Sequence, residues 1–212
     1  MPGMTAAVSG RAPAGGRMLA ERGPAVLLQA ELRNFTRLSE VLDPERVLQL
    51  ASAFFTLAAA SVKAQNGEIC SVQNDGVVAA FRGARPAQCA ASGLAAAQAL
   101  LRDFAPMGER WQADFGLPAA LAIGLHCGET LFGMAGPKGG EQYVAFGHSI
   151  GIAERLVHRA RAGEIVLSAD AVKALGPAAA DLGAKALPPL EFGRGPALPI
   201  YGIVLETRLD FT

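Results

Sequence analysis

Apolar positions fall into short runs with two different periods. Residues 25–31 read Ala-Val-Leu-Leu-Gln-Ala-Glu, a compact apolar run closed by a carboxylate, which predicts a buried strand that delivers a polar group at its C-terminal end. Asp43-Pro44-Glu45 then supplies an N-cap, a proline suited to a first helical turn and an early acid. Val47, Leu48, Leu50, Ala51, Phe54, Phe55 and Leu57 continue at helical spacing and predict an amphipathic helix to about Ala64. Asn66-Gly67 breaks that helix. The segments Glu68 to Gln73 and Val77 to Phe81 are separated only by Asn74-Asp75-Gly76, a strong hairpin signal that puts Asp75 at the tip.

The second half repeats the alternation. Pro86 opens an alanine-rich helix predicted to reach about Phe104, followed by a polar connection containing Pro106, Gly108 and Trp111. Ala120 to His126 and Thr130 to Ala135 flank Cys127-Gly128-Glu129 and predict a second hairpin. A Gly-rich turn at Pro137 to Gly140 follows, then Gly147 and a helix through Ile152, Leu156 and Val157. Gly133, Gly136, Gly139 and Gly140 read more economically as turn residues than as a phosphate loop. Gly163 to Ser168 predicts a strand, a short helix comes next, and Leu187 to Phe192 and Ile200 to Leu205 predict two last strands. Pro188, Pro189 and Pro199 assign those two to an edge. The order is α+β, of the ferredoxin-like kind with an extended antiparallel sheet flanked by helices.

Composition narrows the function classes. The 212 residues suit one domain, with residues 1–23 as a flexible leader rich in Gly, Ala and Arg, 24–206 as the folded unit and 207–212 as a tail. Lys+Arg and Asp+Glu are equal at 19 each, so no basic field draws nucleic acid or anionic lipid. Charged residues or Gly and Pro interrupt every apolar stretch before a membrane span is reached, so no membrane partner is expected. Cys70, Cys89 and Cys127 are an odd, dispersed set without a C-x-x-C pair, which speaks against a disulfide framework or a zinc site and for a reducing cytoplasm. His126, His148 and His158 do not pair at ligand spacing, and His126 in an apolar strand reads as a core histidine.

Four segments, in order, resemble the class III adenylate and guanylate cyclase catalytic domain. They are Glu31-Leu32-Arg33-Asn34-Phe35-Thr36, Gly67 to Phe81 with Asn74-Asp75, Gly124 to Glu129, and Gly147 to Leu156 followed by Gly163-Glu164-Ile165. The resemblance implies a head-to-tail dimer with composite sites. One protomer then supplies two metal-binding acids and the other reads the base and stabilises the transition state. Glu31 and Asp75 match the metal positions, with Glu31 standing where the family has aspartate. The added methylene moves the carboxylate by about 1.5 Å, so Mg²⁺ or Mn²⁺ binding is expected to be weakened. Leu32, Asn34, Phe35 and Thr36 match the phosphate-binding turn, with Phe35 also a packing residue and Thr36 a candidate helix cap.

The other half departs from the family. The base-reading lysine position is Ser71, the polar residue after Tyr143 is Val144, and the ribose-orienting asparagine position is Gly151. Arg155 alone matches the transition-state residue, and it can equally pair with Glu154 or Glu164. His148 replaces an acid common after the glycine. The expectation is a degenerate cyclase-like domain with little or no turnover, a signalling or regulatory module acting through association. It would work as a homodimer, or as a heterodimer with a cyclase domain that supplies the missing side chains. The alternative is an active adenylate or guanylate cyclase that reads ATP or GTP through an unusual base pocket.

Overall fold

The structure is a computed structural model and describes residues 20–137, 139–192 and 195–204. The leader and tail read from the sequence lie almost wholly outside the described residues. The elements are β1 (Glu21–Arg33), α1 (Phe35–Val41), α2 (Pro44–Ala64), β2 (Glu68–Gln73), β3 (Gly76–Phe81) and α3 (Pro86–Phe115). They continue with β4 (Ala120–Ala135), β5 (Gln142–Phe146), α4 (His148–Arg159), β6 (Glu164–Ser168), α5 (Ala169–Leu175), a 3-10 turn, β7 (Lys185–Leu190) and β8 (Leu198–Val204). The strands form one sheet in the order β2-β3-β1-β4-β6-β8-β7, with β5 paired to β4. Only β4 and β6 run parallel; all other pairs are antiparallel.

Strand alternation splits β1 between two cores. Val26, Leu28, Ala30 and Leu32 pack with α2 and α3 through Phe54, Leu100 and Phe104. Ala25 and Leu27 belong to a smaller cluster on the opposite face with Phe132 and Ala153 of α4. By length and hydropathy α2 would also suit a membrane span, a match the sequence reading did not make. Its Phe54, Ala58 and Val62 are buried in the main cluster, so one face of it packs on the core.

Several sequence expectations are corrected. Cys127-Gly128-Glu129 is not a hairpin tip, because β1 starts at Glu21 and offers Val26, Ala25 and Pro24 as partners to those residues, so β4 runs unbroken. Gly128 serves close approach instead of a turn: a Cβ there would strike His126 and Ser149. The real hairpin joins β4 to β5 through the Gly-rich turn. The helix after Pro86 does not stop at Phe104 but continues through Pro106, since Leu100, Leu101, Phe104, Gly108 and Trp111 keep one buried face across it. It ends at Gly116, whose φ of 67° and N–H to Gln112 O form a left-handed cap. Of those two last strands, β7 alone lies at an edge of the sheet. β8 lies inside the sheet, and Pro199 is tolerated because pairing with β6 begins at Ile200.

α4 lies directly on β4 at Gly124. A Cβ at that position would come within 2.6 Å of Val157 N and 2.7 Å of Ala153 O, so glycine sets the depth at which α4 sits on the sheet. His126, 2% exposed, lies two residues further along β4, as expected for a core histidine. Ser168 Oγ accepts the Ala171 N–H and shares a second hydrogen bond with His126 Nδ1 at 2.8 Å. Burial pushes the His126 pKa down from 6.5 to about 4, with His148 adding to the drop and Asp170 opposing it. The unfolded chain therefore binds the extra proton first. Stability is expected to fall as pH drops from about 6.5 to 4, by roughly 3 kcal/mol at full effect, and to level off below. Urea unfolding of wild type and His126→Gln across that window checks it: the variant should lose close to one proton of slope.

Candidate functional site

The end of β1 and the tip of the β2–β3 hairpin meet. Glu31 pairs with Gly76, and Leu32 N–H donates to Asp75 O at 2.7 Å. A Cβ on Gly76 would lie 2.9 Å from Ala30 O and 3.0 Å from Glu31 Cγ, so the tip closes tightly on the strand. Glu31 is 8% exposed. Gln29 Nε2 donates to Glu31 Oε1 at 3.0 Å, Arg33 Nη1 stands 3.5 Å from Oε2, and His158 Nε2 stands 3.4 Å from Oε1. Arg33 Nη2 in turn donates to Val157 O and, at 2.9 Å, to Ala160 O at the end of α4.

Asp75 faces different company. It lines a groove of about 550 Å³ together with Phe35, Thr36, Val47, Leu48 and Phe55, and Glu31 is not among the lining residues. Phe35 is buried against the main core, as its packing role requires. Thr36 is not the cap of α1. That position belongs to Asn34, held at φ 64° with its side-chain amide donating to Pro118 O at 2.9 Å. Leu32 is buried and contributes packing. A two-ion site needs both carboxylates free to share the same cations. Glu31 is already engaged by protein donors, and among the described residues no three of His, Cys, Asp and Glu gather as a metal cage. The two acids as arranged do not fit that site.

On the other half, Gly151 and Arg155 lie one turn apart on α4, and a Cβ added at Gly151 would meet open space. Arg155 pairs with neither Glu154 nor Glu164. Its Nη1 donates to Glu191 O at 3.1 Å and its guanidinium stacks 4.7 Å from the Phe192 ring, which His148 also approaches edge-on at 5.5 Å. Glu164 is used elsewhere, accepting the Arg161 N–H at 2.8 Å. Ser71 follows a bulge that displaces Cys70 into the α4-side cluster. Val144 of β5 pairs with Gly133 of β4, and β5 is in contact with β2. Between them Tyr143 stacks on Phe132 at 6.2 Å, and Arg82 covers Phe132 at 4.4 Å while bonding Glu68 and Glu21. Burial pushes the Tyr143 hydroxyl up to about 12, so it stays a neutral donor.

Gln29, Arg33, Arg82 and Phe192 carry no functional role in the sequence reading, and His158 enters it only as a histidine without a partner at ligand spacing. Gln29 and Arg33 carried a usable signal, since each lies two residues from Glu31 on an otherwise apolar strand and so shares its face. The partners on α4 and beyond β7 lie too far along the chain for any local pattern.

Fold and site together define a nucleotidyl cyclase catalytic domain in architecture. Residues 20–190 match the family described as the adenylate and guanylate cyclase catalytic domain, and the chain belongs to it. It is 31% identical over 147 residues to adenylate cyclase 1 of Rhizobium meliloti (strain 1021), a stretch covering 67% of this chain and 21% of that protein. The chain thus spans about a fifth of that curated relative. Among solved structures, the adenylyl cyclase CyaB from P. aeruginosa superposes with a TM-score of 0.81 at 19% identity, over 90% of this chain and 98% of that one. The guanylate cyclase domain of RhGC from Catenaria anguillulae, in complex with GTP, gives 0.73 at 16% identity, over 87% and 98%. At those identities the likeness establishes the fold.

Proposed function

We propose that this chain is a non-catalytic member of the cyclase family, a dimerising regulatory module in the cytoplasm. The observation that carries the reading is the state of the base and ribose positions. Ser71, Val144 and Gly151 end in a hydroxyl, an isopropyl group and a hydrogen, and none spans the distance a purine-reading lysine or a ribose-holding asparagine would. Arg155, the transition-state candidate, is turned to Glu191 and Phe192, and Tyr143, Phe132 and Arg82 fill the neighbouring surface with their own stack. Asp75 and Thr36 keep an open groove that suits a phosphate-and-metal remnant. Mg²⁺ or Mn²⁺ binds there weakly, because Glu31 contributes little.

The module works as a head-to-tail homodimer. Support comes from the β4–β5 hairpin, where Leu131, Met134 and Phe146 are 38%, 37% and 52% exposed, an apolar surface suited to a second copy. A true cyclase domain supplying lysine and asparagine is the alternative partner. The free thiols of Cys70, Cys89 and Cys127 agree with a reducing compartment.

Titration calorimetry with ATP and with GTP, each with and without Mn²⁺, tests the reading of the nucleotide site. No binding heat is expected at micromolar concentrations of either nucleotide. A micromolar dissociation constant for one purine and not the other would contradict a base-blind site.

A further inference from the structure

Glu31 differs from a vacant metal ligand in what surrounds it. Strand alternation sets Gln29, Glu31 and Arg33 on the α4 face of β1, opposite Ala30 and Leu32 of the main core. Gln29 is 3% exposed and donates to one carboxylate oxygen, while Arg33 approaches the other. Arg33 is itself anchored, donating to two carbonyls at the end of α4, where the partial negative charge of the helix favours a cation. His158, in the last turn of the same helix, approaches Glu31 from a second side.

We propose that Arg33, assisted by His158, is the resident counter-cation of Glu31, and that the cluster is a brace tying the end of β1 to the last turn of α4 in place of a divalent ion. The glutamate at 31 is then fitted to this task. An aspartate would withdraw the carboxylate by about 1.5 Å, away from the Arg33 guanidinium, the His158 ring and the Gln29 amide. A dication entering here has to expel Arg33, which would leave the Val157 and Ala160 carbonyls without their donor and bring like charges together. The brace lies beside Gly124, where α4 meets the sheet at Ala153 and Val157, and so anchors the C-terminal half of the helix that carries Gly151 and Arg155.

Thermal unfolding of the full chain decides it, first in EDTA and then in millimolar Mn²⁺. In EDTA, Glu31→Gln is expected to lower Tm by on the order of 5 °C, because it strips the carboxylate from Arg33. Mn²⁺ should leave the wild-type Tm unchanged. A Glu31→Gln protein that is as stable as wild type or more so in EDTA would overturn the brace, since apposed metal-site acids gain stability when one is neutralised. A second measurement needs no variant. The Arg33 Nε–H signal in the ¹⁵N spectrum of the wild type should keep its position when millimolar diamagnetic Mg²⁺ is added, and its shift to the position of a free guanidinium would also overturn the brace. Because neither experiment depends on turnover, failure of the brace and discovery of cyclase activity are separate outcomes.

Discussion

The triple variant Ser71→Lys, Val144→Asp, Gly151→Asn is expected to bind ATP or GTP at least about 100-fold more tightly than wild type and still to turn over little. Two hydrogen bonds to a purine edge and one to the ribose, each worth about 1 to 3 kcal/mol when charge is involved, account for the gain. Gly151 is the easiest of the three to replace. A Cβ there meets no atom within 4 Å, and asparagine is slightly more favourable than glycine inside a helix. Turnover stays low because the triple variant leaves Glu31 in its ion pairs and Arg155 on Phe192. Adding Glu31→Asp to the triple variant should be the step at which cyclic nucleotide first appears. Calorimetry with each nucleotide, followed by product analysis, checks both parts. A folded triple variant that binds neither nucleotide would place the defect outside Ser71, Val144 and Gly151.

Gly124→Ala is expected to destabilise the fold by about 3 kcal/mol or more, a drop in Tm on the order of 10 °C. The new methyl would press on Val157 N and Ala153 O, and backbone on backbone has no flexible end that could move aside. α4 would have to lift from β4, pulling Val157 and Ala160 away from Arg33 and loosening the cluster around Glu31. Chemical denaturation measures the loss, and amide exchange locates it, with faster exchange in α4 than in α2 or α3. Substitution without measurable cost would show that α4 is not seated on Gly124.

Much of the fold was legible because it is written in local periods. The apolar run before Glu31, the helix from Pro44 and the Asn74-Asp75 hairpin are each decided by neighbours in sequence, and the structure reproduces them, although Asp43 holds the N-cap position without a side-chain hydrogen bond. The expectations that failed depended on distant partners. Gly128 reads as a turn residue until Ser149 and His126 are found against it, and Pro106 reads as a break until the buried face through Trp111 is seen. The same division holds at the site. Positions 31, 71, 75, 144, 151 and 155 were found by motif, whereas the engagement of Glu31 by His158 and of Arg155 by Glu191 spans 127 and 36 residues and has no local signature.

The central claim is that the cyclase architecture persists here without the cyclisation. It is tested by incubating the purified protein with ATP and with GTP, in Mg²⁺ and in Mn²⁺, and measuring cyclic nucleotide beside an Asp75→Ala control. The account predicts no cyclic AMP or cyclic GMP above that control. Cyclic nucleotide produced by the wild type and abolished by Asp75→Ala would contradict it.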